Sequence, residues 1–117
     1  MTQPPRSEVS SVSLAEFKKL DIRLAKILDA EDIPGADRIW KLTVDAGAGN
    51  KTLVAGIKKW YPQKEALIGK TVVVIDNLEP ALIRGVESKG MLLAAKNGEL
   101  LSLLSAEPAL SPGSPVG

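Results

Sequence analysis

Gly85-Val86-Glu87-Ser88-Lys89-Gly90-Met91-Leu92-Leu93-Ala94-Ala95 places two glycines, a hydroxyl and a methionine ahead of an apolar run. A plain strand needs none of that punctuation. Glycines before a strand signal a bend or a close approach of two backbones. The polar residues between them then sit at the mouth of the bend, where side chains can meet a ligand.

Strand signals flank this stretch on both sides. Ile22 to Leu28 reads as a strand with an irregularity near Ala25-Lys26, followed by a turn at Pro34-Gly35-Ala36-Asp37. Ile39 to Val44 alternates, with Trp40, Leu42 and Val44 on one face and Lys41 and Thr43 on the other. Gly47 to Asn50 is a turn and Leu53 to Ile57 a third strand. Lys58 to Ile68 reads as a loop leading into about one helical turn. Thr71-Val72-Val73-Val74-Ile75 is β-branched throughout, the composition of a central strand. Met91 to Ala95 and Leu100 to Leu104 flank an Asn97-Gly98 hairpin signal. Upstream, Ser13-Leu14-Ala15-Glu16 matches a capping box. Leu14, Phe17 and Leu20 then share one face of a helix too short to stand alone, so it is expected to dock.

The expected architecture is all-β: an OB-fold five-stranded barrel with a short N-terminal helix and a small helical insert after the third strand. Spacing alone leaves a β-sandwich open. Residues 1–12, rich in Ser, Pro, Gln and Thr, read as a flexible arm, and 13–117 as the domain. The tail from Ser105 carries three prolines; slight core packing is expected there, or a return along the body.

Bulk properties narrow the function. A chain of 117 residues suits one modest core. It has no cysteine and no histidine, which removes the thiol nucleophile, the commonest general base and the usual zinc ligands. No cofactor, metal or membrane contact is expected. No segment approaches the roughly 20 apolar residues of a membrane span, and Met1 to Val12 lacks the apolar run of a signal peptide. A soluble cytoplasmic protein is the resulting expectation.

Net charge is only +1, yet it is unevenly spread. Residues 51–70 hold five lysines against Glu65, whereas Asp29, Glu31, Asp32 and Asp37 cluster before Arg38. One basic face and one acidic end are expected, and a neutral total does not exclude a local phosphate footprint.

Two sites imitate a phosphate loop and fail. Gly69-Lys70-Thr71 has Lys64 where the first glycine belongs and leads into a strand; Asn50-Lys51-Thr52 lacks both glycines. Glu31-Asp32 lies in a polar, turn-like stretch and reads as surface charge. No catalytic constellation emerges.

The RNA-binding candidates are Ser88, Lys89 and Met91 at the glycine-framed corner, the basic set Lys26, Lys41, Lys58, Lys59 and Arg84, and Asn77, for which the turn at Pro80 is the preferred partner. Of the aromatics, Phe17 and Trp40 lie on apolar faces. Trp60 and Tyr61 remain, a thin stacking platform that favours recognition of folded RNA shape over single strands.

Phe17 to Ile27, Pro34 to Arg38, Leu53 to Ile57, Asn77 to Pro80 and Gly85 to Ala95, in that order, resemble the tRNA-binding domain family. That family includes the tRNA-binding part of methionyl-tRNA synthetase and domains like endothelial-monocyte-activating polypeptide II. The resemblance implies an OB-fold, a homodimer, tRNA contacts from Ser88 and Met91, and service as a methionyl-tRNA synthetase accessory or a stand-alone tRNA-binding protein. It implies no catalysis. The rivals are a chaperone or export-type dimer binding unfolded peptides on the same fold, and a module that tethers a synthetase without touching RNA.

Overall fold

The computed structural model describes residues 9–117; most of the expected arm, residues 1–8, lies outside them. A four-residue helix α1 (Leu14–Phe17) opens the described chain, with the Ser13 hydroxyl accepting from the Glu16 N–H as the capping motif predicts.

The strands that follow form one curled sheet. β1 (Ile22–Ile33) pairs antiparallel with β2 (Ala36–Asp45), which pairs with β3 (Asn50–Ala55). On its other side β1 pairs with β4 (Thr71–Ile75), and β4 with β7 (Met91–Leu92). Two hairpins stand off this path: β5 (Ala81–Ile83) with β6 (Val86–Ser88), and β8 (Ala94–Asn97) with β9 (Leu100–Leu103). The second forms where the Asn97-Gly98 signal lies, but turns one residue later, at Gly98-Glu99, with Asn97 paired to Leu100.

The all-β class, the short helix and the helical insert are therefore as expected. The barrel is not closed by strand ladders alone. Its end strands, β3 and β7, meet at a seam spanned by the corner between β6 and β7. There the Lys89 N–H donates to the Thr52 carbonyl at 2.9 Å, and the Val54 N–H to the Ser88 hydroxyl at 2.9 Å. The corner is too bent to continue a ladder, so single hydrogen bonds hold the seam.

Alternation on β2 came out as read: Trp40, Leu42 and Val44 are buried. They pack with Ile27, Leu53, Val72 and Val74, and each such fully buried side chain contributes about 1.5–3 kcal/mol. The insert, a 3-10 turn over Lys64–Ala66, delivers Leu67 into the same core.

Several local expectations are corrected. The irregularity in β1 falls at Leu28, where the register to β2 shifts between Ile27 and Asp29. This bulge keeps Ala30 inward and turns Asp29 and Glu31 outward, and a second register shift, between Asp32 and Ile33, brings Ile33 inward. The tail behaves as expected, with no buried residue from Ser105 on and a return along the body: β10 (Pro115–Val116) pairs with β1 at Ile22 and Arg23, on the stretch that β2 leaves free. Helix α1 does not bury its apolar face, since Leu14 is 65% and Phe17 41% exposed. Only about one turn long, it reaches no groove in its own chain.

Candidate nucleic-acid interface

The stretch from Ala81 to Met91 builds the site. Arg84 (φ 51°) and Gly85 (φ 82°) are both left-handed, which makes the β5–β6 connection a two-residue turn of the kind that matches strand twist. Asn or Gly usually occupies the first of those positions. An arginine there costs about 1–2 kcal/mol of backbone strain. In return a guanidinium stands at the tip of the hairpin.

Ser88 ends the hairpin and is 4% exposed. Its hydroxyl accepts from the Val54 N–H and donates to the Gly90 carbonyl at 3.3 Å. Both of its hydrogen-bonding roles are thus taken up inside the fold. Gly90 (φ 140°) then passes against β4, where a Cβ would stand 2.9 Å from the Ile75 carbonyl oxygen. The corner sends Lys89 outward and leaves Met91 45% exposed. Ser88→Ala should cost about 1–3 kcal/mol by stranding the Val54 N–H. Urea unfolding measures this, and an unchanged midpoint would mean that the seam does not depend on the hydroxyl.

A cleft of about 450 Å³ opens between this hairpin and the outer face of β3, lined by Lys41, Asn50, Lys51, Thr52, Gly85, Val86, Glu87 and Lys89. A second, of about 240 Å³, lies on the other side of the hairpin tip, between Arg84 and Gly35–Ile39, and includes Arg38. Among the described residues Lys41 makes no ion pair; Lys89 pairs with Glu87 at 3.5 Å and Lys51 with Asp76 at 2.6 Å. The Lys89 pair is solvent-exposed and contributes about 0–1 kcal/mol, so a phosphate can replace the carboxylate. Ammonium groups above a floor offering the Thr52 hydroxyl and the Asn50 amide suit a phosphodiester and a ribose 2′-OH.

The nine candidates therefore divide. Lys41, Lys89 and Arg84 come together around the hairpin, with Met91 just beyond on the same corner. Lys26 is exposed on β1, with Asp45 between it and the cleft in register. Asn77 does not serve the turn at Pro80. Its carbonyl oxygen accepts from the Asp21 N–H at 2.8 Å and its amide donates to the Lys19 carbonyl at 2.7 Å, fastening the chain after α1 to the end of β4. Lys58 is held: it pairs with Asp32 and lies 4.4 Å from the Trp40 ring centroid. Lys59 is exposed beside Trp60.

The separate acidic end is not found. Asp32 takes Lys58, and Glu31 lies opposite Lys41 in the β1–β2 register. Antiparallel pairing folds the acidic stretch back beside the basic one. The sequence reading missed Asn50, Lys51, Thr52 and Arg38 as cleft residues. The expected third strand starts at Leu53, whereas β3 starts at Asn50, so these residues fall outside the expected strand and nothing in the sequence shows which hairpin roofs them.

The family model described as a putative tRNA-binding domain matches residues 22–115. The chain belongs to this family. Its matched span starts with β1 and takes in both clefts and the seam. The chain is 42% identical over 110 residues to the methionine–tRNA ligase of Thermotoga maritima and 48% identical over 109 residues to that of Nanoarchaeum equitans. Those alignments cover 94% and 93% of the chain but only 17% and 14% of the ligases. Among solved structures, the MetRS related protein from Pyrococcus horikoshii is similar with a TM-score of 0.86 and 31% identity, covering 93% of this chain and all of that one. A CsaA chaperone protein from Picrophilus torridus is similar with a TM-score of 0.83 and 27% identity, covering 92% and 100%. As a family member the chain is a tRNA-binding-type module related to methionine–tRNA ligases, and it corresponds to only a small part of their length. Among the described residues, no helix is long and apolar enough to cross a membrane.

Proposed function

We propose that this chain is a non-catalytic, cytoplasmic module that binds tRNA by shape and backbone, with its primary contacts in the two clefts beside the β5–β6 hairpin. The observation that carries this reading is the convergence of Lys41, Lys89 and Arg84 on one hairpin in a member of a tRNA-binding family. Lys41 and Lys89 take phosphates, Arg84 reaches from the tip, and Met91 lies against a sugar or base. Ser88 acts through position: it holds the corner from which Lys89 and Met91 project. Lys26, Lys58 and Lys59 extend the positive field, and Asn77 braces the N-terminal segment. The relatives point to work beside a methionyl-tRNA synthetase, as an associated subunit or a free-standing protein.

The test is a titration with unfractionated tRNA against a single-stranded RNA of equal length, at two salt concentrations. Tighter, salt-sensitive binding to tRNA is expected, because phosphate contacts release counterions. Equal affinity for the two RNAs would refute shape recognition.

The likeness to CsaA chaperone proteins keeps a second reading in play, a dimer that binds unfolded peptides. It predicts salt-insensitive suppression of aggregation and no preference for tRNA. The ligase relatives at 42–49% identity, against 27% for the chaperones, favour tRNA.

A homodimer belongs to the proposal as well. Leu14, Phe17 and Leu20 form an exposed apolar face that a second copy would cover. Leu14→Asp with Phe17→Asp should convert the dimer to monomers in sedimentation. A wild-type mass near 12.4 kDa at micromolar protein would sink the idea.

A further inference from the structure

Trp60 is half-buried, with Lys59 Nζ at 5.4 Å and Lys96 Nζ at 5.2 Å from its ring centroid. We propose that Trp60 stacks on an unpaired base of the bound RNA while Lys59 and Lys96 take the flanking phosphates. This rests on the tRNA-binding reading and adds a base contact to one built on backbone.

The other aromatic side chains are committed elsewhere. Trp40 is in the core, and its indole donates to the Tyr61 carbonyl at 2.8 Å. The Tyr61 hydroxyl accepts from the Leu103 N–H at 3.3 Å, and Phe17 lies on the apolar face of α1. Trp60 is different because its ring is oriented yet accessible. Its Nε1–H donates to the Glu99 carbonyl at 2.8 Å, which ties residue 60 to the β8–β9 turn and fixes the indole plane. A pre-oriented ring loses little freedom when a base settles on it.

Two ammonium groups beside one indole repel each other and call for an anion. Glu99 supplies one to Lys59 at 3.3 Å, but its side chain is 90% exposed and swings away at little cost. A phosphodiester is the stronger partner, carrying a base with it. Base–aromatic stacking outweighs an exposed ammonium–ring contact, so a base displaces the lysine from the ring and the lysine moves to phosphate. The location fits a continuous footprint. The Lys58 N–H donates to the Arg38 carbonyl at 3.3 Å, and Arg38 shares its cleft with Arg84. The basic track thus runs from the hairpin tip through Arg38 to Lys59, passing Lys58, which Asp32 neutralises.

Tryptophan fluorescence during a tRNA titration tests this. Saturable quenching is expected in the wild type and its loss in Trp60→Phe, since the remaining Trp40 is buried. Trp60→Phe keeps a ring and should bind within about threefold of wild type, whereas Trp60→Leu should weaken binding about 5- to 100-fold at fixed salt. Glu99→Gln, which frees Lys59, should tighten binding about twofold. If tRNA binds wild type and Trp60→Leu equally and emission does not change, the stacking site is overturned and the cleft reading stands. If wild type does not bind tRNA at all, both fail together. Should Trp60→Leu not fold, quenching in wild type against Trp60→Phe decides: identical traces overturn the proposal.

Discussion

Gly90→Ala is expected to lower the melting temperature by on the order of 15 °C. Gly90 has φ 140°, a conformation that an L side chain rarely adopts, so strain alone costs about 1–3 kcal/mol. Sterics add to it. The new Cβ would lie 2.9 Å from the Ile75 carbonyl oxygen and 3.1 Å from Leu53 Cδ2. The first neighbour is backbone in β4 and cannot rotate away; the second is in the core. Overpacking of this kind costs about 1–3 kcal/mol more. Together these take a large fraction of the roughly 5–15 kcal/mol that holds a small domain. Gly85→Ala is the internal control. It also has a left-handed φ, but a Cβ there meets nothing within 4 Å, so only about 1–2 kcal/mol of strain is expected. Circular dichroism melts of the two variants measure the difference. Equal melting temperatures would show that the corner is free to move away from β4, and the seam described above would then not be rigid.

Lys41→Glu combined with Lys89→Glu is expected to weaken tRNA binding about 100-fold at 50 mM salt. The reason is counterion release. A phosphate contact changes log K by about 0.7–0.9 per decade of salt, so at 50 mM each contact contributes roughly tenfold. Two lost contacts give about 100-fold, and reversed charge adds repulsion. The slope of log K against log salt should flatten by about 1.4–1.8. Neither residue is in the core, so the fold should hold, but Lys41→Glu faces Glu31 across the β1–β2 ladder and Lys89→Glu stands beside Glu87, so a melting temperature lower by a few degrees is expected. Anisotropy at several salt concentrations reads both quantities. An unchanged slope with intact folding would move the interface away from the hairpin.

These predictions differ in how far they were legible in the chain itself. The alternation of Trp40, Leu42 and Val44, the β-branched run from Thr71 to Ile75 and the Ser13 cap all report local periodicity or local hydrogen bonding, and each came out as read; the hairpin at the Asn97-Gly98 signal did too, with its turn one residue on at Gly98-Glu99. Such features depend on neighbours within a few residues, and those neighbours are visible in any sequence. The β5–β6 hairpin is not legible in the sequence because Arg84 is an unusual residue for a left-handed turn position. The bulge falls at Leu28 and not near Ala25-Lys26 because register is set by the partner strand, not by the bulged one.

The site shows the same division. Lys41, Lys89 and Met91 are identifiable as outward or corner residues, Arg84 only as one of a basic set, and the resemblance to tRNA-binding domains rests on short blocks that stand in order along the chain. The role of Ser88 was not identifiable. Its hydroxyl bonds to Val54, 34 residues away, and only closure of the seam brings the two together. Asn77 meets Lys19 and Asp21 across a similar gap, and Asp32 reaches Lys58 once β1 and β2 have paired. By itself, then, the sequence determined the main strands β1 to β4 and the β8–β9 hairpin, the insert, the outward face of Lys41 by parity, and the family. Tertiary structure alone decided which polar groups are spent holding the fold and which stay free for a ligand, because that depends on distances between residues far apart in the chain, which no local pattern encodes.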